Sequence, residues 1–393
     1  MSLGIYISIP FCKTKCSYCN FASGVFSAQL MTAYLDRLRR DIARSATIAE
    51  EMGAQFEDSV DSIFWGGGTP NLLPPCEIER VMQSLRDRFT ITAGAEVTVE
   101  CAPALISGDL LDAFARCGVN RVSLGVQSFI DQEARAVGRV HGRLAVHDDI
   151  RRLRAHGISN INIDLIAGLP QQTFDSWKAS VEEAIETAVP HLSVYMLEVD
   201  NESRLGAELL AGGTRYHAHH VPDDDLIADF YLWAIGRLQA SGLQQYEISN
   251  FARTGHVSRH NVKYWKREPY LGFGVDAHSM LPAAASDTSP AAVNIRFAVT
   301  DSLPEYLAGH HLIRTEVTAD MALEEAMFLG LRMNEGIPLP RPSEKQTLSG
   351  AGYLEKFADL ESKGLIERCN AGGVRLTNTG RLLSNEVFQE FLA

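Results

Sequence analysis

The 393-residue chain is an α/β protein built on a parallel sheet, followed by a mainly helical, winged-helix-like C-terminal region. Three observations predict this. Short apolar strands alternate with helical segments from Leu3 to Leu197. Polar residues and glycines gather just after those strands. From about Asp320 the pattern changes to helix, helix and hairpin. Alternation of this kind argues for a parallel sheet covered by helices.

The first strand is Leu3–Ile9. Ala28–Glu51 reads as one long amphipathic helix, with Leu30, Tyr34, Leu38 and Ile42 near helical spacing. Further strands are expected at Val60–Trp65, Glu96–Glu100, Arg121–Val126, Asn160–Ile166 and His191–Leu197. Helices at Glu77–Phe89, Leu105–Arg116, Leu144–His156 and Thr173–Ala188 separate them, making about six βα units. A doubly wound sheet and a barrel both satisfy this alternation, and both place chemistry at the carboxyl ends of the strands. Pro222-Asp223-Asp224-Asp225 has the acidic character of a helix start, so Asp225–Ala240 is a helix. Leu243–Phe251 is read as one more strand, and Pro282–Ala292, rich in Ala, Ser and Pro, as a loop. Helices are expected at Ala322–Met333 and Tyr353–Lys363, then a hairpin from Leu365-Ile366-Glu367 and Val374-Arg375-Leu376, with Thr377 opening a last helix. The expected division is a barrel or sheet domain over 1–250, a connecting segment over 251–315 and a helical domain over 316–393.

Cys12, Cys16 and Cys19, spaced C-x3-C-x2-C, follow the first strand directly. Three thiolates in one loop can converge on an inorganic centre, either an iron–sulfur cluster or a zinc ion completed by a distant residue. The other four cysteines, Cys76, Cys101, Cys117 and Cys369, have no ligand spacing and read as buried small side chains. After the second strand comes Gly66-Gly67-Gly68-Thr69-Pro70, whose glycines allow close backbone approach and offer unhindered N–H groups. The later strand ends present Glu100, Gln127, Asp164 and Glu198, with Arg139 twelve residues past Gln127. His217, His219 and His220 lie in a polar stretch and are read as surface residues. In His260-Asn261-Val262-Lys263-Tyr264-Trp265 a histidine stands among aromatic rings, which suits either a packed side chain or an axial ligand to a flat macrocycle. Gly272-Phe273-Gly274 is not a dinucleotide fingerprint, because a preceding strand, a third glycine and a later acidic residue are all wanting.

The net charge of −13 argues against a nucleic-acid-binding surface. No apolar run approaches the roughly 18 residues of a membrane-spanning helix, and no signal peptide is visible. An odd count of seven cysteines suits a reducing cytoplasm, not a disulfide framework. Peripheral contact with a membrane leaves no mark of this kind and stays open.

The order Y-x-x-I-P-F-C-x3-C-x-Y-C from Tyr6 to Cys19 resembles the opening of the radical S-adenosylmethionine (SAM) superfamily, within its coproporphyrinogen dehydrogenase-like group. That resemblance implies an open, partial (β/α)6 barrel with a C-terminal helical domain over its mouth. It implies a 4Fe-4S cluster on Cys12, Cys16 and Cys19, with SAM on the open iron. Tyr6 and Tyr18 would belong to the SAM site, Gly67, Gly68 and Thr69 would meet its methionyl part, and Glu100, Gln127, Arg139, Asp164 and Glu198 would line the rest. H-N-x-x-Y-W resembles the haem-binding motif of the HemW-type haem chaperone family, making His260 an axial ligand, with His278 a second candidate. The dehydrogenases carry a further cysteine two residues past the third and a longer segment ahead of the loop. Phe21 stands at that position here, and eleven residues precede Cys12. The expectation is a cytoplasmic protein that binds haem and delivers it to an acceptor of the respiratory haem protein class. It would be a monomer, or a dimer governed by cluster loading. The alternative is a radical SAM enzyme acting on a tetrapyrrole, by decarboxylation or by methyl transfer and ring opening.

Overall fold

The computed structural model describes residues 2–284, 292–309, 312–339, 350–369 and 372–392. Strands β1 (Leu3–Ile9), β2 (Ser59–Gly67), β3 (Thr90–Cys101), β4 (Arg121–Gln127), β5 (Asn160–Ala167) and β6 (His191–Met196) pair in sequence order, every pair parallel. At least one helix lies between each strand and the next. Beyond β6 the hairpin β7 (Gln244–Gln245) and β8 (Asn250–Ala252) adds on antiparallel. On the other edge β9 (Tyr270–Phe273) runs parallel to β1, and β10 (His278–Pro282), β11 (Ala292–Val299) and β12 (Leu312–Thr318) continue antiparallel. Because β1 pairs with β2 and β9 and β6 with β5 and β8, the six-stranded unit never closes on itself. It is an open barrel.

The strand sequences explain the curl. Along β4, Val122, Leu124 and Val126 join the apolar core, while Arg121, Ser123 and Gly125 face a central cavity. Along β5, Ile161, Ile163 and Leu165 are in the core, and Asn162 and Asp164 face the cavity. The period of two separates an apolar outside under the helices from a polar inside.

Arg253–Pro269 closes the amino end of this interior. The Arg253 N–H donates to Pro190 O (2.8 Å) just before β6. His256 meets Asn160 at the start of β5 (Nδ1···Oδ1, 3.2 Å), and its carbonyl accepts from Arg121 of β4 (2.9 Å). The amides of Arg259 and His260 donate to the Glu96 carboxylate of β3 (3.2 and 3.1 Å). Lys263 pairs with Asp61 of β2 (2.9 Å), and Gly4 N of β1 donates to Pro269 O (3.0 Å). The segment expected to be a connector is thus a floor that touches β1 to β5 and the residue just before β6, and it runs on into four strands of the sheet.

The C-terminal region has its own core, in which Phe357, Leu360, Ile366, Val374 and Phe391 join helices Ala319–Leu331 and Gly350–Ser362 to a sheet of β13 (Ile337–Pro338), β14 (Ile366–Arg368) and β15 (Gly373–Leu376). It docks along the lateral seam of the open barrel. Arg332 bridges Glu247 (2.7 Å) on the β7–β8 side and the Trp265 ring (4.3 Å) on the other, while Glu325 takes Arg267 (2.9 Å) and Arg296. The observed docking side is therefore this seam, not the mouth at the strands' carboxyl ends.

Four further expectations change. The long first helix is two, Ala28–Ala43 and Ser45–Glu51, meeting at Arg44. The break is silent in sequence because the buried positions Ile42, Ser45 and Ala49 keep helical spacing across it. Leu243–Phe251 is not one strand. Buried Glu247 accepts from Ser249 N (2.9 Å) and Asn250 Nδ2 (2.5 Å) and turns the chain. Tyr270–Phe273 is a strand, so Gly272 and Phe273 lie within strand structure and Gly274 directly follows it. Cys101 and Cys117 are buried as expected, but Cys76 is exposed and Cys369 half-buried. Of the expected Pro282–Ala292 loop, residues 285–291 fall outside the described set.

Removing one partner of the Glu247–Arg332 pair leaves the other charge partly desolvated, which costs about 3–5 kcal/mol. Glu247→Ala should therefore lower stability by about that much in urea unfolding, and loosen the C-terminal region toward limited proteolysis before the barrel.

Candidate functional site

At the carboxyl ends of the strands the cysteine loop Phe11–Gly24 is held by backbone bonds and by side chains, among them Lys15 donating to Phe21 O (2.9 Å) and Arg204 donating to Lys15 O. Cys12 N donates to Gly24 O (2.8 Å), Ser17 N to Val137 O (3.1 Å), and Leu205 N to Ser17 O (2.8 Å). Asn20 reaches Asp200 (2.9 Å). The Gly66–Pro70 turn completes the cradle. Gly68 N donates to Ile9 O and Thr69 N to Phe11 O, each at 2.8 Å, while Gly67 N–H serves the Glu100 carboxylate. The unhindered N–H groups expected for a ligand are thus engaged by the protein itself. The glycines serve close approach: a Cβ on Gly68 would come within 2.8 Å of Phe11 O and 3.0 Å of Cys12 Sγ.

The three cysteines line one cavity of about 570 Å³ that runs from this loop to the floor. Tyr6, Tyr18, Gly67, Gly68, Thr69, Glu100, Gln127, Arg139, Asp164, Glu198 and His260 all line the same cavity, so residues from Tyr6 to His260 converge there. Tyr18 is packed by Val137, Ile166 and Leu169 beside the loop, and burial pushes its phenol up. Tyr6 stacks on Phe64 (6.1 Å). Arg139 donates through Nη2 to Gly125 O (2.6 Å), and its buried Nε has no partner. A Cβ on Gly125 would strike that guanidinium at 2.3 Å, so a side chain there would displace Arg139 from its present position. Gln127 ends β4 with φ +70°, a left-handed conformation that a non-glycine residue adopts only where surroundings fix it.

Glu100 and Asp164 resist ionisation. Glu100 is pushed up to about 8, first by burial and then by the Asp164 charge, against the opposing Gly67 N–H and Arg139. Burial also raises Asp164, opposed by hydrogen bonds from Ser193, Ser123 (3.0 Å) and Asn162 (2.7 Å) and by Arg139.

His260 lies at the opposite end of the cavity, 1% exposed. Its Nδ1 faces Ser62 Oγ (3.0 Å), its Nε2 faces Tyr264 Oη (2.8 Å), and its ring stacks on Phe64 (5.4 Å). Burial, then the Lys263 charge, lowers it to about 3, so it is neutral. A neutral imidazole is the ligating form, but both nitrogens are engaged, and axial coordination requires the Tyr264 bond to open. His278 is exposed, 3.8 Å from Asp276. His217, His219 and His220 are exposed on a short 3-10 turn.

With this geometry in place, the comparisons fit it. The radical SAM superfamily profile matches residues 6–184 and the HemN C-terminal domain profile residues 317–383. The haem chaperone HemW of Bacillus subtilis is 35% identical over 390 residues, 98% of each chain. The chain belongs to the HemW family of the radical SAM superfamily. HemW of Lactococcus lactis is 31% identical over 98% of this chain and 96% of its own. Among solved structures, coproporphyrinogen III oxidase HemN of Escherichia coli, a radical SAM enzyme, matches with TM-score 0.80 and 27% identity, covering 99% of this chain and 90% of that one. Membership of the superfamily implies a 4Fe-4S cluster and SAM. The residues fit both: three sulfurs on one loop facing one cavity, a glycine where a side chain would crowd Cys12, and an unpartnered Arg139 nitrogen. Among the described residues no helix is long and apolar enough to cross a membrane.

Sequence reading missed the lower half of the cavity, lined by Ser62's neighbour Phe64, Thr98, Arg121, Asn162, His191, Ser193 and Asn250. The signal was there, as polar residues at every second position of otherwise apolar strands.

The folded protein holds the Glu100 proton up to about pH 8, whereas the unfolded chain releases it near 4.5. The folded state then binds more protons between these values, so stability falls as pH rises through them. The melting temperature of the ligand-free protein should drop from pH 5 to 8, and Glu100→Gln should flatten the drop.

Proposed function

We propose that this protein is a haem chaperone, which binds haem together with a SAM-ligated 4Fe-4S cluster and passes the haem to an acceptor protein. The observation that carries this is full-length similarity to two proteins named haem chaperones, at 35% and 31% identity. Cys12, Cys16 and Cys19 would hold the cluster, whose open iron takes the amino and carboxylate groups of SAM. Tyr6, Tyr18, Glu100, Gln127, Arg139 and Asp164 would orient SAM, with Glu198 at the rim and Gly67, Gly68 and Thr69 giving it room. Phe21 stands where the dehydrogenases keep a further cysteine, which supports a carrier over a decarboxylase. The setting proposed is the cytoplasm, with an acceptor of the respiratory haem protein class. Cluster and SAM would bias a conformation or a dimer state without radical turnover, which requires SAM to favour one state.

His260 would supply an axial ligand in a haem-loaded state in which the Tyr264 bond has opened, with exposed His278 as the other candidate. A haemin titration of the anaerobically reconstituted protein, followed at the Soret band, tests this. Wild type should saturate at one to one, and His260→Ala should lose or shift the band while His278→Ala leaves it in place. An unchanged curve in His260→Ala removes that ligand. Replacing His260 also leaves Ser62 and Tyr264 unpaired inside, a cost of about 1–3 kcal/mol, so unfolding should be measured beside the titration.

The rival reading, a radical SAM enzyme acting on a tetrapyrrole, is favoured by the likeness to HemN. Deoxyadenosine formed in proportion to a modified tetrapyrrole selects it. For the cluster, Cys12→Ala, Cys16→Ala and Cys19→Ala should each abolish stoichiometric iron and sulfide after anaerobic reconstitution, whereas Cys101→Ala should not.

A further inference from the structure

We propose that the floor of the barrel holds a second ligand subsite, in which Arg121 and Thr98 bind a carboxylate of the tetrapyrrole that this protein carries. This rests on the haem reading above and adds the group that seats the macrocycle's acidic edge.

Arg121 is 2% exposed and lines the cavity. It opens β4, where it pairs with Thr98 of β3 and Asn160 of β5. Its Nη1 donates to Asn160 Oδ1 (3.1 Å) and His256 O (2.9 Å), so both neutral acceptors are served by one nitrogen. A guanidinium has five N–H groups in a rigid fork, and the remaining edge can take a carboxylate in two parallel bonds. Among the described residues Arg121 forms no ion pair with a carboxylate. The acids around the floor are already engaged. Glu96 accepts the amides of Arg259 and His260, and Asp61 and Glu268 pair with Lys263 (2.9 and 3.1 Å).

The neighbouring histidines do not share the charge. His191 is held between Asn162 Oδ1 (2.6 Å) and Tyr246 Oη (2.9 Å), and burial keeps it and His260 neutral. Thr98 is 0% exposed, lines the same cavity, and its hydroxyl has no hydrogen-bond partner. An unpaired buried cation beside an orphaned hydroxyl is expensive in a ligand-free barrel, and an anion resolves both. The subsite is not part of the SAM layer. Arg121 lies four residues, about 13 Å of strand, from Gly125, where Arg139 crosses. The planar fork selects a carboxylate, and the propionates are the carboxylates a haem offers.

Haemin and haemin dimethyl ester share iron, ring and axial chemistry but differ in their carboxylates, so comparing their dissociation constants isolates the subsite. Wild type should bind the diacid about tenfold or more tightly than the diester, the scale of a charge-assisted hydrogen bond. Arg121→Gln should erase the preference, and Arg121→Lys should keep part of it. Thr98→Val, which removes the hydroxyl at nearly constant shape, should weaken the diacid several-fold and leave the diester unchanged. SAM binding should stay the same in all three. A preference that survives in Arg121→Gln overturns the subsite. Equal binding of both forms by wild type overturns the subsite and leaves the haem reading standing. Binding of neither form overturns both.

Discussion

The polar inner face of the six parallel strands is the constraint on which the rest of the structure depends. A parallel sheet is ordinarily apolar on both faces. Here one face carries Arg121, Ser123, Asn162, Asp164, His191 and Ser193 into an enclosed space. Buried polar groups of this kind must be paired. Asn162 does much of that pairing, donating to Ser123 (2.7 Å) and Asp164 (2.7 Å) and accepting from His191 (2.6 Å) and Ser193 (3.3 Å). The network fixes the strands against one another, and the floor segment supplies the partners that the strand starts need.

The same constraint organises the two ends differently. At the carboxyl end the backbone of β1, the cysteine loop and the Gly66–Pro70 turn hydrogen-bond to each other, so the sulfurs are placed by main chain. At the amino end backbone bonds pin the two ends of the floor segment, at Pro190 O and Gly4 N, and the side chains of Glu96, Asp61 and Asn160 hold its middle. The middle of the floor, tied by discrete side-chain contacts, is a better candidate for rearrangement than its backbone-pinned ends, which matters because His260 and Tyr264 belong to it.

The C-terminal region reinforces this division. Its contacts run through Glu325 and Arg332 to Arg267, Arg296, Trp265 and Glu247. These sit at the end of the floor segment and on the two edges of the open sheet. The acidic chain therefore uses this winged-helix-like unit to fasten the seam, and the charged pairs that do so are local, not a basic face of the kind nucleic-acid readers present.

The sequence by itself determined the alternation of strands and helices, the cysteine loop and the acidic and glycine positions after each strand. Each of these depends on short-range pattern: hydrophobic period, motif spacing, and residues adjacent to a strand end. What only the tertiary structure decided is long-range. That Gly67, Gly68 and Thr69 spend their amides on β1, the cysteine loop and Glu100 follows from strand pairing across some sixty residues, which no local signal encodes. That His260 is an interior floor residue with both nitrogens engaged follows from where Arg253–Pro269 crosses the barrel. The inward row of Arg121, Thr98 and Asn162 was visible as alternation, but its meaning required the curl of the sheet. A period of two tells that two faces differ, and only closure of the barrel tells which one encloses a ligand.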